Sequence, residues 1–241
     1  LGNDLIDGGT GVDLLSYLGV NARIVVDLQL TVPQPTGAGL QTVRDIEHVA
    51  GSFDNDVLIG NAGPNRLIGN QGNDVLEGGA GADVLEGGVG NDTLRPGIGG
   101  DIVSGGDGTD LVSYRDVVGV TVDLAIVTQQ FTGAGGSDII TGVENAAGGV
   151  GNDTLRGDAG ANVLYGNLGS DTLQGREGND SLYGEGGDDT LLPGAGDDLI
   201  DGGDGIDLVS FWDLAASVAS GVVVDLSTTA PQNTGAGGLD R

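Results

Sequence analysis

The sequence predicts an all-β chain wound as a right-handed parallel solenoid, a β-roll or β-helix with two nine-residue repeats in each 18-residue coil. Three observations lead there. A glycine-rich turn recurs every nine residues, an aspartate closes most of those turns, and an aliphatic residue follows two positions later. The nonads begin at 51, 60, 69, 78, 87, 96 and 105, and again at 148, 157, 166, 175, 184, 193 and 202. Their sixth residues are Asp56, Asp74, Asp83, Asp92, Asp101 and Asp110, then Asp153, Asp171, Asp180, Asp189, Asp198 and Asp207. Asn65 and Asn162 are the two exceptions. The eighth residue is aliphatic each time, from Leu58 and Leu67 to Val112, and from Leu155 to Val209.

Each nonad divides into a six-residue turn and a three-residue apolar strand such as Val84-Leu85-Glu86. The two-residue period of a strand turns Leu85 to one face and its neighbours to the other. A helix is excluded, because three glycines per nonad would cost roughly 3 kcal/mol relative to alanine. Strands this short are unstable alone and must stack on copies of themselves. Leucine-rich repeats, the rival solenoid, need 20–29 residues per repeat and do not fit. Successive coils then rise by the inter-strand spacing of about 4.8 Å, with the eighth-position residues filling a narrow interior.

A longer period of 97 residues encloses the short one. "GGTGVDLLSY" starts at 8, "GGDGTDLVSY" at 105 and "GGDGIDLVSF" at 202. The predicted organisation is a partial block at 1–16, an insert at 17–50, seven nonads at 51–113, an insert at 114–147, seven nonads at 148–210 and a partial insert at 211–241. The two complete inserts, of 34 residues each, share "VDL", "TGAG" and "IEH" or "VEN". Tyr17, Tyr114 and Phe211 recur at the long spacing and are expected to plug the coil where the nonads stop. Trp212 has no counterpart and reads as a surface or local packing residue, while Glu47 and Glu144 read as structural hydrogen-bond acceptors. With no methionine, signal peptide or membrane-length apolar run, the chain reads as an excerpt of a longer one.

Charge narrows the partners. Eight basic residues, all arginine, stand against 36 acidic ones for a net charge of −28. Nucleic acid and anionic lipid both need basic patches and are excluded as partners, and nothing predicts membrane insertion. Without cysteine there is neither a disulfide framework nor a thiolate metal site. A P-loop requires a lysine, and none is present; a dinucleotide fingerprint needs a helix after its glycines. His48 is the only histidine, which removes zinc and Ser-His or Cys-His catalysis. Carboxylate pairs for glycoside chemistry abound, yet the repeat already accounts for every well-placed aspartate. No catalytic residue is predicted.

Stacking brings the sixth-position aspartates of nonads i and i+2 together along one edge, a column of mutually repelling carboxylates. Calcium turns that column into bridges, because it takes six to eight oxygens at 2.3–2.6 Å in adaptable geometry, whereas Mg²⁺ demands a stricter octahedron. The aspartates supply charge, and glycine lets a turn aim carbonyl oxygens inward.

The nonads at 78 and 87, "GGAGADVLE" and "GGVGNDTLR", match G-G-x-G-x-D-x-U-x at every defined position, and so the chain resembles the RTX (repeat-in-toxin) calcium-binding nonapeptide family. The resemblance implies a parallel β-roll. It also implies a ligand set: carbonyls one and three with the aspartate of one turn, carbonyls two and four with the aspartate of its stacked partner. Around Asp83 these are Gly78 and Ala80, or Gly79 and Gly81. Carried along the chain, the same positions are Gly69 and Gly72; Gly87, Gly88, Val89 and Gly90; Gly105, Gly106 and Gly108; Gly166 and Gly169; Gly175 and Gly178; Gly184 and Gly187; and Gly202, Gly203 and Gly205, with Asp13 in the first partial block. Asn65 and Asn162 offer neutral oxygens and imply weaker or empty sites, whereas Pro96 and Pro193 keep their carbonyls. "GAGLQT" at 37–42 lacks the acid that Asp138 gives the second insert. Pairing the seven-nonad blocks gives about ten Ca²⁺ ions.

The function expected is a calcium-folded array, unfolded at cytosolic calcium and folded outside the cell. It would serve as a structural or adhesive segment of a large secreted or surface bacterial protein, able to associate end to end. The alternative is the folding and secretion module of a type I-secreted enzyme, a protease, lipase or polysaccharide epimerase, whose catalytic domain lies outside the chain. A carbohydrate- or ice-binding face is weaker, because the ninth-position residues form no uniform threonine row.

Overall fold

The computed structural model describes residues 2–211 and the two short strands Gln232–Asn233 and Leu239–Asp240, which pair antiparallel. The partial insert expected at 211–241 and Trp212 therefore lie almost wholly outside the described residues. The chain divides into two compact units, Leu1–Ser113 with Gly135–Val143, and Tyr114–Ala134 with Glu144–Arg241.

In the first unit two parallel ladders alternate along the chain. One runs Leu14–Ser16, His48–Ala50, Arg66–Gln71, Val84–Val89, Ile102–Asp107 and Gly136–Thr141. The other runs Val25–Asp27, Val57–Ile59, Val75–Gly81, Thr93–Gly99 and Leu111–Ser113. Leu85 lies opposite Leu67 on one side and Val103 on the other, a step of 18 residues each way. The intervening nonad belongs to the opposite ladder, so one coil holds two nonads. The second unit repeats the plan. Asn145–Ala147, Val163–Leu168, Ser181–Gly186 and Leu199–Asp201 form one ladder, and Thr121–Asp123, Thr154–Arg156, Thr172–Gln174, Thr190–Leu192 and Leu208–Val209 the other.

The core is the column of eighth-position residues. Leu58, Leu67, Leu76, Leu85, Leu94, Val103 and Val112 are wholly buried, as are Leu155, Leu164, Leu173, Leu182 and Leu191. Burial alternates along most of the strands, and most of the flanking seventh and ninth residues are half-exposed. The column thins at its C-terminal end, where Ile200 is only partly covered and Val209 is exposed.

Two features depart from the expected pattern. Several strands are six or seven residues long instead of three, because the ladder continues into the turn. The fourth-position amide donates to the third-position carbonyl one coil on, as in Gly72 N–H to Val89 O (2.9 Å) and Gly90 N–H to Asp107 O (2.8 Å). The inserts also supply strands to the stack. Val26 pairs with Leu58, and Val49 lies between Leu15 and Leu67. Residues 42–50 thus act as a nonad without glycine, with Glu47 in the aspartate's place and wholly buried Val49 in the leucine's. Tyr17 is buried as expected for a plug, and its hydroxyl donates to Gln41 Oε1 at 2.8 Å. Burial pushes that hydroxyl up to about 12. Tyr114 is buried in the second unit, whereas Phe211 is half-exposed.

Candidate metal centre

The aspartates form ordered columns on the turns. In the first unit Asp56 N–H donates to Asp74 Oδ1, Asp74 N–H to Asp92 Oδ1 and Asp92 N–H to Asp110 Oδ1, each at 2.7 Å. On the opposite edge the series runs from Asn65 N–H to Asp83 Oδ1 (2.8 Å), Asp83 N–H to Asp101 Oδ1 (2.8 Å) and Asp101 N–H to Asp138 Oδ1 (2.9 Å). The second unit holds the same two columns, Asp153 to Asp171, Asp189 and Asp207, and Asn162 to Asp180 and Asp198. One carboxylate oxygen of each stacked aspartate is thereby used by the backbone of the preceding coil.

In most of them the other oxygen is not used. Oδ2 of Asp13, Asp74, Asp83, Asp92 and Asp101 is buried with no hydrogen-bond partner, and so is Oδ2 of Asp171, Asp180 and Asp189. Leaving one such acceptor unsatisfied costs about 1–3 kcal/mol, and more for a charged group. A row of them marks atoms that a cation would satisfy. Burial shows in their acidity as well. It pushes the carboxyls of Asp74 and Asp101 up to about 7 and those of Asp83, Asp171 and Asp180 up to about 6; neighbouring carboxylates add to the rise at Asp74, Asp101 and Asp171. Asp92 and Asp189 are raised in the same direction by burial.

Backbone oxygens surround these carboxylates. A β-carbon at Gly78 would lie 2.6 Å from Asp83 Oδ2 and 2.7 Å from the Pro96 carbonyl oxygen one coil on. First-position carbonyls therefore face back along the stack, and Pro96 supplies one as well as glycine does. The fourth-position carbonyls of Gly72, Gly81 and Gly90 face forward, each crowding the equivalent residue of the next coil, Gly90, Gly99 and Gly108. The same crowding places Gly169 against Gly187, and Gly187 against Gly205. Among the second positions, Gly88 faces Gly106 in the same manner, and Glu185 faces Gly203. The third-position carbonyl of Val89 faces back and accepts from Gly72 N–H. Among the described residues no group of three or more His, Cys, Asp or Glu side chains could hold a metal. An ion placed here would meet one or two carboxylates with carbonyl oxygens, which is the hard, oxygen-rich set that suits calcium. The residues fit the ion.

Not every predicted ligand sits in this environment. Both oxygens of Asp56 and of Asp153 are hydrogen-bonded, and so are the side-chain amides of Asn65 and Asn162. Glu47 makes the structural hydrogen bond expected of it, and it does so from a place in the register of the column that its spacing does not show. Its Oε2 accepts from Asp13 N–H at 2.9 Å, which is the bond an aspartate one coil on makes elsewhere. In the first insert Gln41 takes the place of Asp138, and its Oε1 accepts from the hydroxyls of Tyr17 and Thr36.

The weakened acidity of these carboxyls gives opposite pH responses with and without the ion. The unfolded aspartates titrate near 4, so burying them as anions opposes folding at pH 8. That opposition fades as pH falls through 7 and 6, where Asp74, Asp101, Asp83, Asp171 and Asp180 take up protons in the fold. The calcium-stripped chain is expected to gain stability from pH 8 towards pH 5. Calcium affinity is expected to fall over the same range, because protons and the ion compete for the same oxygens. Far-UV circular dichroism across pH in calcium-free buffer, with the calcium midpoint of folding at each pH, checks both slopes; a midpoint that does not move with pH would contradict the competition.

Comparison with protein families gives one match. The model for the RTX calcium-binding nonapeptide repeat (4 copies) aligns with residues 1–18, 45–63, 50–85, 59–94, 77–112, 141–173, 165–200 and 174–209. No curated protein matches the chain.

Proposed function

Since the chain belongs to the RTX calcium-binding nonapeptide repeat family, we propose that it is a calcium-folded β-roll array acting as a structural or adhesive segment of a large secreted or surface bacterial protein. The observation that carries the reading is the row of buried, unpartnered aspartate oxygens at one-coil intervals in both units. A core one leucine wide is paired with carboxylates that only a cation satisfies, so the metal supplies folding free energy that the apolar column lacks. Ligands that must be deprotonated and brought together by folding couple ion binding to the fold. RTX repeats are typical of secreted bacterial proteins, and calcium outside the cell, in the millimolar range, shifts the equilibrium by mass action. The 97-residue super-repeat favours an array over an accessory to an enzyme, since identical units in line make a stiff stalk.

The test is far-UV circular dichroism of the chain during calcium titration, with magnesium in parallel. A cooperative coil-to-β transition specific to calcium is expected. Full β signal in calcium-free buffer would mean that the leucine column folds unaided and that the ion only tunes it. Disorder at saturating calcium would end the reading.

A further inference from the structure

We infer that the opening coil of each seven-nonad block, residues 51–68 and 148–165, is closed by the protein itself and takes no calcium through Asp56, Asn65, Asp153 or Asn162. These turns are seats for the inserts. The inference rests on calcium binding by the later turns, and at Asp56 and Asp153 it separates turns that the repeat pattern treats alike.

The oxygens that stand unpartnered later in each block are satisfied here. Asp56 Oδ1 accepts from Ile24 N–H of the insert at 2.6 Å, and its Oδ2 accepts from Ser52 N–H of its own turn at 2.5 Å. Ser52 Oγ adds a third bond to Oδ1 at 3.0 Å. Asp153 repeats the arrangement 97 residues on, with Val120 N–H on Oδ1 at 2.7 Å and Gly149 N–H on Oδ2 at 2.6 Å. The asparagines close the opposite edge. Asn65 Oδ1 accepts from Asn61 N–H (2.7 Å), while its Nδ2 donates to the Glu47 carbonyl of the insert (3.0 Å). Asn162 accepts from Asp158 N–H (2.8 Å) and donates to the Glu144 carbonyl (2.6 Å). A carboxylate at 65 or 162 would face that carbonyl with no proton to offer, which accounts for asparagine at these two positions alone.

The first-position carbonyls of the same turns are also taken. Asn70 Nδ2 donates to Gly51 O, Gln29 Nε2 to Gly60 O, Asn167 Nδ2 to Gly148 O and Arg176 Nη1 to Gly157 O, at 2.6–3.3 Å. Arg176 also makes a two-pronged ion pair with Asp123 of the insert. A side-chain cation thus lies on the edge where the later turns present bare oxygens. Backbone conformation separates the two classes as well. The second residue has positive φ in later turns (Asn70, Gly79, Gly88, Asn167, Arg176, Glu185), but Ser52, Asn61, Gly149 and Asp158 do not. The ordinary φ of these four accompanies a second-position amide that reaches the sixth-position side chain.

Equilibrium dialysis of the chain against calcium, with melting temperature in parallel, tests this. Asp74→Asn and Asp171→Asn are each expected to lose at least one bound ion. Asp56→Asn and Asp153→Asn are expected to keep the wild-type ion count while melting earlier, because one of the two backbone amides on the side chain loses its acceptor. Asn65→Asp and Asn162→Asp restore the repeat's acid and are expected to gain no ion. Loss of an ion in Asp56→Asn or Asp153→Asn, or a gain in Asn65→Asp, would overturn the inference. The two asparagine variants decide it if the aspartate variants fail to fold. A wild-type chain that binds no calcium would end the reading of the later turns and the distinction with it.

Discussion

Replacing Gly90 with alanine is expected to break the stack at the centre of the first block. Gly90 has a φ of 139°, a conformation that residues with a side chain rarely adopt. A β-carbon there would also overlap the carbonyl oxygen of Gly72 in the preceding coil, an atom of the rigid backbone ladder. Backbone strain costs about 1–3 kcal/mol and overpacking about as much again, giving a loss of roughly 2–6 kcal/mol. Moving the coils apart instead would break the Gly72 N–H to Val89 O bond and separate the facing turns. Gly63 is the control. It holds the same fourth position in an opening turn, lacks positive φ, and has as its nearest obstacle the Asn61 Oδ1 atom at 3.4 Å. Denaturant unfolding of both variants at saturating calcium measures the difference. Near-equal losses would contradict the close carbonyl stacking of the later turns.

Leu85→Ala is expected to cost about 2–5 kcal/mol, the range for emptying a large aliphatic side chain from a core. Leu85 is wholly buried, and its coil neighbours Leu67 and Val103 are held at fixed register by parallel backbone pairing. The ladder prevents them from closing the gap, which places the cost towards the upper end of the range. The exposed Val209, an eighth-position residue at the end of its ladder, should lose far less as Val209→Ala. Equal sensitivity at the two positions would show that the aliphatic column is not the load-carrying core. Isotherms of unfolding at fixed calcium keep the ion's contribution constant between the variants.

How much of the centre was legible depended on how directly a residue's role follows from its spacing. Asp74, Asp83 and Asp92 stand in columns because a nine-residue period in an 18-residue coil allows nothing else. Leu85 is in the core for the same reason. Residues 42–50 escaped notice because they contain no glycine, and their only repeat signals are Glu47 and Val49. Their place emerges from pairing, with Val49 between Leu15 and Leu67. The lengthened strands escaped notice as well, since an amide-to-carbonyl bond between Gly72 and Val89 leaves no trace in residue type.

The sequence by itself determined the coil length, the identity of the core column and the chemistry of the edges, because each is a periodic property that identical neighbours enforce on one another. Tertiary structure decided which of the repeated acids meet protein donors. Asp56 and Asp74 occupy the same place in their nonads, yet one receives the Ile24 and Ser52 amides and the other keeps a bare oxygen. Part of that difference comes from the turn's own Ser52, and part from an insert residue, Ile24, brought alongside from 32 positions away. A periodic pattern carries no information about neighbours of that kind. Hydrogen bonds are short-ranged, so only the placement of the insert against the opening coil could settle which oxygens it satisfies.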